Sequence, residues 1–208
     1  MLNMHHRAPH HNTGGRRLAP RRTLMRLLLL SMVVLSAPLH ALELEGIKLA
    51  DQAEVGGRQL QLNGAGLRSK FFVSVYVGGL YLVGKSSDVQ QILSMPGPKR
   101  VAMHFIYDEI SEAKIRDAWK EGFADNNSEE VMAQIKPEMD AFNSLWPEIK
   151  GGDIALVDFL PGKGTQISLN GKVRGIVPGD QFQRAALRIW LGDNPVDSDL
   201  KAGMLGAQ

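Results

Sequence analysis

Phe71-Phe72-Val73-Ser74-Val75-Tyr76-Val77-Gly78-Gly79-Leu80-Tyr81-Leu82 is the stretch that decides the fold. It is uncharged and dominated by aromatic and β-branched residues, the composition of a strand. Its odd positions Phe71, Val73, Val75 and Val77 are uniformly apolar, whereas Phe72, Ser74, Tyr76, Gly78 and Leu80 are mixed. Side chains alternate across a strand, so the spacing predicts one face on a dry core and a second face lining something less dry.

Working outward, Gly56-Gly57 breaks the chain before the alternating Arg58-Gln59-Leu60-Gln61-Leu62, and Ile47-Lys48-Leu49-Ala50 is a short apolar strand candidate. On the other side, Arg100 to Tyr107 and Ile154 to Leu160 read as strands. Thr165 to Leu169 and Lys172 to Ile176 flank Asn170-Gly171, the strongest short hairpin signal. Between these blocks the period changes to helical. Ile115, Ala118, Trp119 and Phe123 share one face. Ser128 is an N-cap ahead of two acids, and Val131, Ile135, Met139, Phe142 and Trp146 follow at helical spacing. Pro137 interrupts that series and is expected to kink or split it. Phe182, Ala186, Ile189 and Trp190 form a last amphipathic helix ended by Gly192, and Asp197 or Ser198 caps a short final one. Strands, helices, strands and a helix give an α+β fold with a largely antiparallel sheet.

Residues 1–41 are expected to be a signal peptide with a basic n-region, and 42–208 the folded domain. Arg21-Arg22-Thr23-Leu24-Met25-Arg26 precedes the apolar run Leu27 to Leu35, and Ala41 offers a small residue for cleavage. A cut there leaves 167 of the 208 residues, one domain able to bury roughly 70% of its unfolded surface. Six arginines and no acid leave with the segment. The 24 basic residues fall to 18 against 22 acids, and the net charge moves from +2 to −4. The expected location is periplasmic or secreted. The apolar run is short of the ~20 residues of a stable membrane span. An acidic chain without a basic block argues against nucleic acid. With no cysteine in the chain, disulfides, thiolate catalysis and Cys-bound metal are excluded, and no cofactor is expected.

Most other motifs have plain structural accounts. Gly64-Ala65-Gly66 lacks the third glycine and helix of a dinucleotide loop, and Gly162-Lys163-Gly164-Thr165 lacks the spacing of a P-loop. Asp193, Asp197 and Asp199 do not follow calcium-loop spacing and read as helix stop and start. His104 is the one histidine after Ala41, too little for a triad or a metal site. Arg68 and Tyr76 stand out. An inward arginine needs a carboxylate, held bidentately, and a tyrosine hydroxyl supplies a second donor. Sharing one ligand requires the chain to reverse near Ser69-Lys70. That would still leave about five residues, ~16 Å, between them along the sheet.

Gly64-Ala65-Gly66-Leu67-Arg68, followed by Lys70 to Leu82, resembles the opening of the chalcone isomerase-like family. Ile189-Trp190-Leu191-Gly192-Asp193-Asn194-Pro195-Val196-Asp197-Ser198-Asp199-Leu200-Lys201 is similar to the ending of its exported bacterial branch. The resemblance spans about residues 43–206. It implies an open-faced β-sandwich, a large antiparallel sheet with helices layered on one face and a ligand cleft between. The superfamily includes chalcone isomerases and non-catalytic fatty-acid-binding relatives. The arginine of the glycine-rich strand falls on Arg68. The enzyme's strand threonine falls at about Tyr76, where the fatty-acid-binding branch has tyrosine. The enzyme's helix tyrosine, helix asparagine and late threonine fall near Ser111, Ala118 and Ile189, which removes most of its polar network.

The expected function is therefore an exported, non-catalytic binding protein for a fatty acid or similar apolar carboxylate. Arg68 and Tyr76 would hold the acid, and Phe72, Leu80, Phe105 and Trp119 are the candidate pocket lining. The alternatives are an isomerase, specifically a chalcone isomerase-type intramolecular lyase, and a ligand-free interaction module.

Overall fold

The structure, a computed structural model, describes residues 42–206. The expected signal peptide lies outside the described residues. The elements in chain order are β1 (Leu42–Leu44), β2 (Ile47–Leu49), β3 (Gln52–Val55), β4 (Arg58–Lys70), β5 (Val73–Leu82), α1 (Val89–Ser94), β6 (Lys99–Phe105), β7 (Glu109–Ile110), α2 (Glu112–Asn126), α3 (Glu129–Gln134), α4 (Lys136–Ser144), β8 (Ile149–Lys150), β9 (Ile154–Leu160), β10 (Gly164–Leu169), β11 (Lys172–Val177), α5 (Asp180–Leu191) and α6 (Ser198–Met204). Seven strands form one antiparallel sheet in the order β11-β10-β9-β6-β5-β4-β3. This is the α+β architecture with an antiparallel sheet that the patterning predicts, with the helices on one face as the resemblance implies. Among the described residues no helix is long and apolar enough to cross a membrane.

Both faces of the sheet are apolar. The helix-covered face joins Tyr76, Leu80, Leu82, Val101, Met103, Phe105, Val157 and Ile167 to Trp119, Phe123, Phe142, Trp146, Phe182 and Trp190. The opposite face buries Leu60, Leu62, Val77, Tyr81 and Ala102 under Leu49 and the rest of the β1–β2 hairpin. On that side Arg100 and Asp158, paired across β6 and β9, form a bidentate ion pair of 2.5 and 2.7 Å. The expected split into a dry and a wetter face is thus corrected. From Tyr76 onward the even residues of β5 face the larger core, and from Val77 onward its odd residues face the smaller one.

The alternation breaks at a bulge. Arg68 pairs with Tyr76 but Ser69 pairs with Ser74, which leaves Val75 unpaired with β4. An extra residue breaks the two-residue alternation. It turns Val75, with Val73 beyond it, toward the helix side at the end of the sheet. A second shift at Asn63 keeps β4 continuous through Gly64-Ala65-Gly66, which is a strand interior. A Cβ on Gly64 would strike the Gly203 carbonyl, and one on Gly66 would sit 2.8 Å from Leu200 Cα. The glycines therefore let α6 lie directly on β4. The Ser128 cap forms as expected, its Oγ accepting from Val131 N at 3.3 Å. Pro137 divides the long helical pattern into α3 and α4 at Ile135.

Candidate functional site

β4 and β5 reverse at Phe71-Phe72, later than Ser69-Lys70, and this sets the geometry of the candidate site. Arg68 and Tyr76 become direct register partners rather than residues five positions apart. The Arg68 guanidinium carbon lies 5.6 Å from the Tyr76 ring centroid, a cation–π contact. Tyr76 is buried, and its hydroxyl accepts a hydrogen bond from Trp190 Nε1 at 3.0 Å. Burial raises the Tyr76 pKa above the usual phenol range. The Arg68 charge and the Trp190 hydrogen bond oppose that rise, and the Asp197 charge adds to it.

Arg68 is half-buried, and its Nε is shielded from solvent with no hydrogen-bond partner. No described carboxylate lies within ion-pair distance of it. Asp197, near enough to act on Tyr76, is already engaged. Its Oδ2 accepts from Ser69 N, and its Oδ1 accepts from Asp199 N and Leu200 N at the start of α6. The contrast with Arg100 is instructive. Arg100 also sits partly buried in the sheet, but it has the bidentate carboxylate that such a group requires.

Arg68 opens onto a groove of about 560 Å³ between the end of the β4–β5 hairpin, β7 and α2. Val73, Val75, Tyr107, Ile110 and Ala118 supply apolar surface, and Phe71 lies at its edge. Lys70, Lys114, Glu109, Asp117 and Glu121 make a charged rim. Three of these acids face other cations: Glu121 faces Lys70, Asp117 faces Lys120, and Glu109 stands opposite Lys150 across β7–β8. Arg68 and Lys114 are left without ion pairs among the described residues. The size and mixed lining fall within the range of small-molecule sites.

Of the residues expected here, Arg68 lines the groove and the others do not. Phe72 is fully exposed at the hairpin turn, because the reversal begins one residue earlier. Leu80 and Phe105 are buried under the helices, and Phe105 meets Tyr76 edge-on with centroids 5.4 Å apart. Trp119 is committed to Phe142, Trp146 and Trp190 at 5.2, 4.7 and 5.6 Å. Aromatic packing fills the sheet–helix interior where the cleft was expected, and the open volume lies at its edge. Tyr76 supports Arg68 from below but does not line the groove. Sequence reasoning missed Val75, Tyr107 and Ile110. The bulge behind Val75 has no residue signature, and β7 is two residues long.

The three positions that the resemblance assigns to the enzyme's polar groups serve structural ends. Ser111 caps α2, its Oγ accepting from Lys114 N at 3.4 Å. Ala118 presents a methyl group to the groove, and Ile189 is fully buried. His104 is half-buried with no role in the groove. Among the described residues no cluster of three or more His, Asp or Glu side chains could hold a metal ion.

Among solved structures, the fold is similar to a fatty-acid binding protein of Arabidopsis thaliana, with a TM-score of 0.65 and 14% identity. The match covers 79% of this chain and 95% of the plant protein. At that identity it shows a shared fold. No curated protein matches the chain at a significant level. The chalcone isomerase-like family model matches residues 41–206, which spans all of the described residues. On that match the chain belongs to the chalcone isomerase-like family.

Proposed function

We propose that the protein is an exported, non-catalytic binder of an apolar carboxylate such as a fatty acid, held in the groove at the end of β4 and β5. One observation carries the reading: a half-buried guanidinium with an unpartnered Nε and no protein carboxylate opens onto an apolar-walled groove. Leaving a buried charge-bearing donor unmade costs free energy that an anionic ligand would recover. The Arabidopsis protein of the same fold is a fatty-acid binding protein, which supports the ligand class. The basic and apolar pattern of residues 1–41 supports export to the periplasm or beyond.

In this reading Arg68 is the anchor, Tyr76 fixes its orientation, and Val73, Val75, Tyr107 and Ile110 receive the start of the tail. Titration with dodecanoate followed by calorimetry tests it. Arg68→Ala removes a charge-assisted pair of about 1.5–3 kcal/mol, so affinity is expected to fall roughly tenfold to hundredfold. Thermal unfolding of the same variant should be nearly unchanged. Equal affinity in wild type and variant would take Arg68, and the groove with it, out of the function.

A further inference from the structure

A second pocket lies at the other end of β6. Strand β6 rises about 3.3 Å per residue, so its first residue, Lys99, stands roughly 20 Å from the groove beyond Phe105. The pocket, of about 450 Å³, is formed by the connection from α1 to β6, the end of β9 and the first half of α5. Leu93, Met95, Pro96, Phe159 and Leu187 give it apolar walls.

Two cations face this space. Lys99 pairs in register with Phe159 and points to the helix side with Val101 and Met103, leaving 8% of its surface exposed. Its Nζ donates to the Met95 carbonyl at 2.7 Å. An ammonium has three donors, and no described carboxylate lies within ion-pair distance of this one. Arg184 stands exposed at the rim on α5, also without an ion pair among the described residues. Asp180 is the one acid on the wall, and Gln183 is tied to the Leu160 carbonyl at 3.0 Å. Burial depresses the Lys99 pKa, in keeping with an ammonium that lacks an anionic partner. A lysine used only to tether Met95 leaves two of its three donors without a protein partner at the floor of the pocket. Arg184 has no part in that tether.

We propose that this pocket is a second binding site, for an amphipathic monoanion with a short apolar body, with Lys99 donating to the anionic group from the floor and Arg184 from the rim. The proposal is independent of the Arg68 groove, and the test separates the two. The full chain carrying Arg68→Ala is titrated with octanoate, octanol and acetate, following the methyl NMR signals of Leu93, Met95 and Leu187. Octanoate is expected to shift these signals saturably, and octanol and acetate to do so at least tenfold more weakly. Lys99→Met in the same background should abolish the saturable shift. Arg184→Ala, an exposed change that leaves the core intact, should weaken it at least fivefold. Absence of a saturable shift with octanoate overturns the proposal, and so does an unchanged titration in the Lys99→Met protein. If Lys99→Met does not fold, an unchanged Arg184→Ala titration overturns it. Failure of the groove reading has a different signature, an identical affinity of wild type and Arg68→Ala for dodecanoate.

Discussion

Tyr76 does two jobs with one side chain, and they can be separated by measurement. Its ring lies under the Arg68 guanidinium, and its hydroxyl accepts from Trp190 inside the core. Tyr76→Phe keeps the ring and removes the acceptor, stranding a buried indole N–H. The expected loss of stability is about 1–3 kcal/mol in denaturant unfolding. Dodecanoate affinity should stay within about threefold, because the face that carries the cation is retained. Arg68→Ala should do the reverse, losing affinity and keeping stability. If Tyr76→Phe instead weakens dodecanoate as much as Arg68→Ala does, the hydroxyl itself meets the ligand. The residue-level reading of the sequence is then the correct one. That reading identified Arg68 as an arginine in need of an acid. It did not foresee that Trp190 would claim the tyrosine, a contact between residues 114 positions apart that no local pattern encodes.

Four two-residue hairpins in the described chain turn through two consecutive residues with positive φ: Glu45-Gly46, Gly56-Gly57, Phe71-Phe72 and Asn170-Gly171. Three have glycine in second place, as this turn favours. Phe71-Phe72 has two exposed aromatic residues at φ 50° and 66°. A bulky residue in the left-handed region costs about 1 kcal/mol or more. Replacing the pair by Asn-Gly should therefore raise stability by about 1–2 kcal/mol, measured by urea unfolding. Unchanged or lowered stability would mean that the turn is not strained. The same element shows what the sequence makes legible. Asn170-Gly171 announces its hairpin because its residues suit the turn. Phe71-Phe72 hides its turn because phenylalanine reads as strand, so the run was extended through the reversal. The bulge at Val75 then moved two residues to the other face without leaving a trace in composition. Long periodic elements such as β9, α2 and α5 are plain from spacing. The six-residue α1 and two-residue β7, held by tertiary contacts, carry too few periods to register.

At the scale of the whole molecule, the sheet carries apolar cover on both faces, and His104 is the one histidine among the described residues. It lies on the β6 face under which the smaller cluster packs, between Val77 and Ile154 in register, with no charged register partner. Burial lowers its pKa below the usual 6.5. The sign follows from proton counts. Between the lowered folded value and 6.5 the unfolded chain binds more protons than the folded one, so stability must fall as pH falls through that window. Above about 6.5 the imidazole is neutral in both states and its contribution is constant. Carboxylates also titrate in acid, but they do so equally in a His104→Gln variant. The quantity to measure is therefore the difference in unfolding free energy between wild type and His104→Gln at pH 7.5 and again at pH 5.0. Wild type is expected to lose more stability than the variant over that interval. A difference that stays level across the two pH values would show that the ring is solvated enough to charge freely. The sheet face around it would then be open to water.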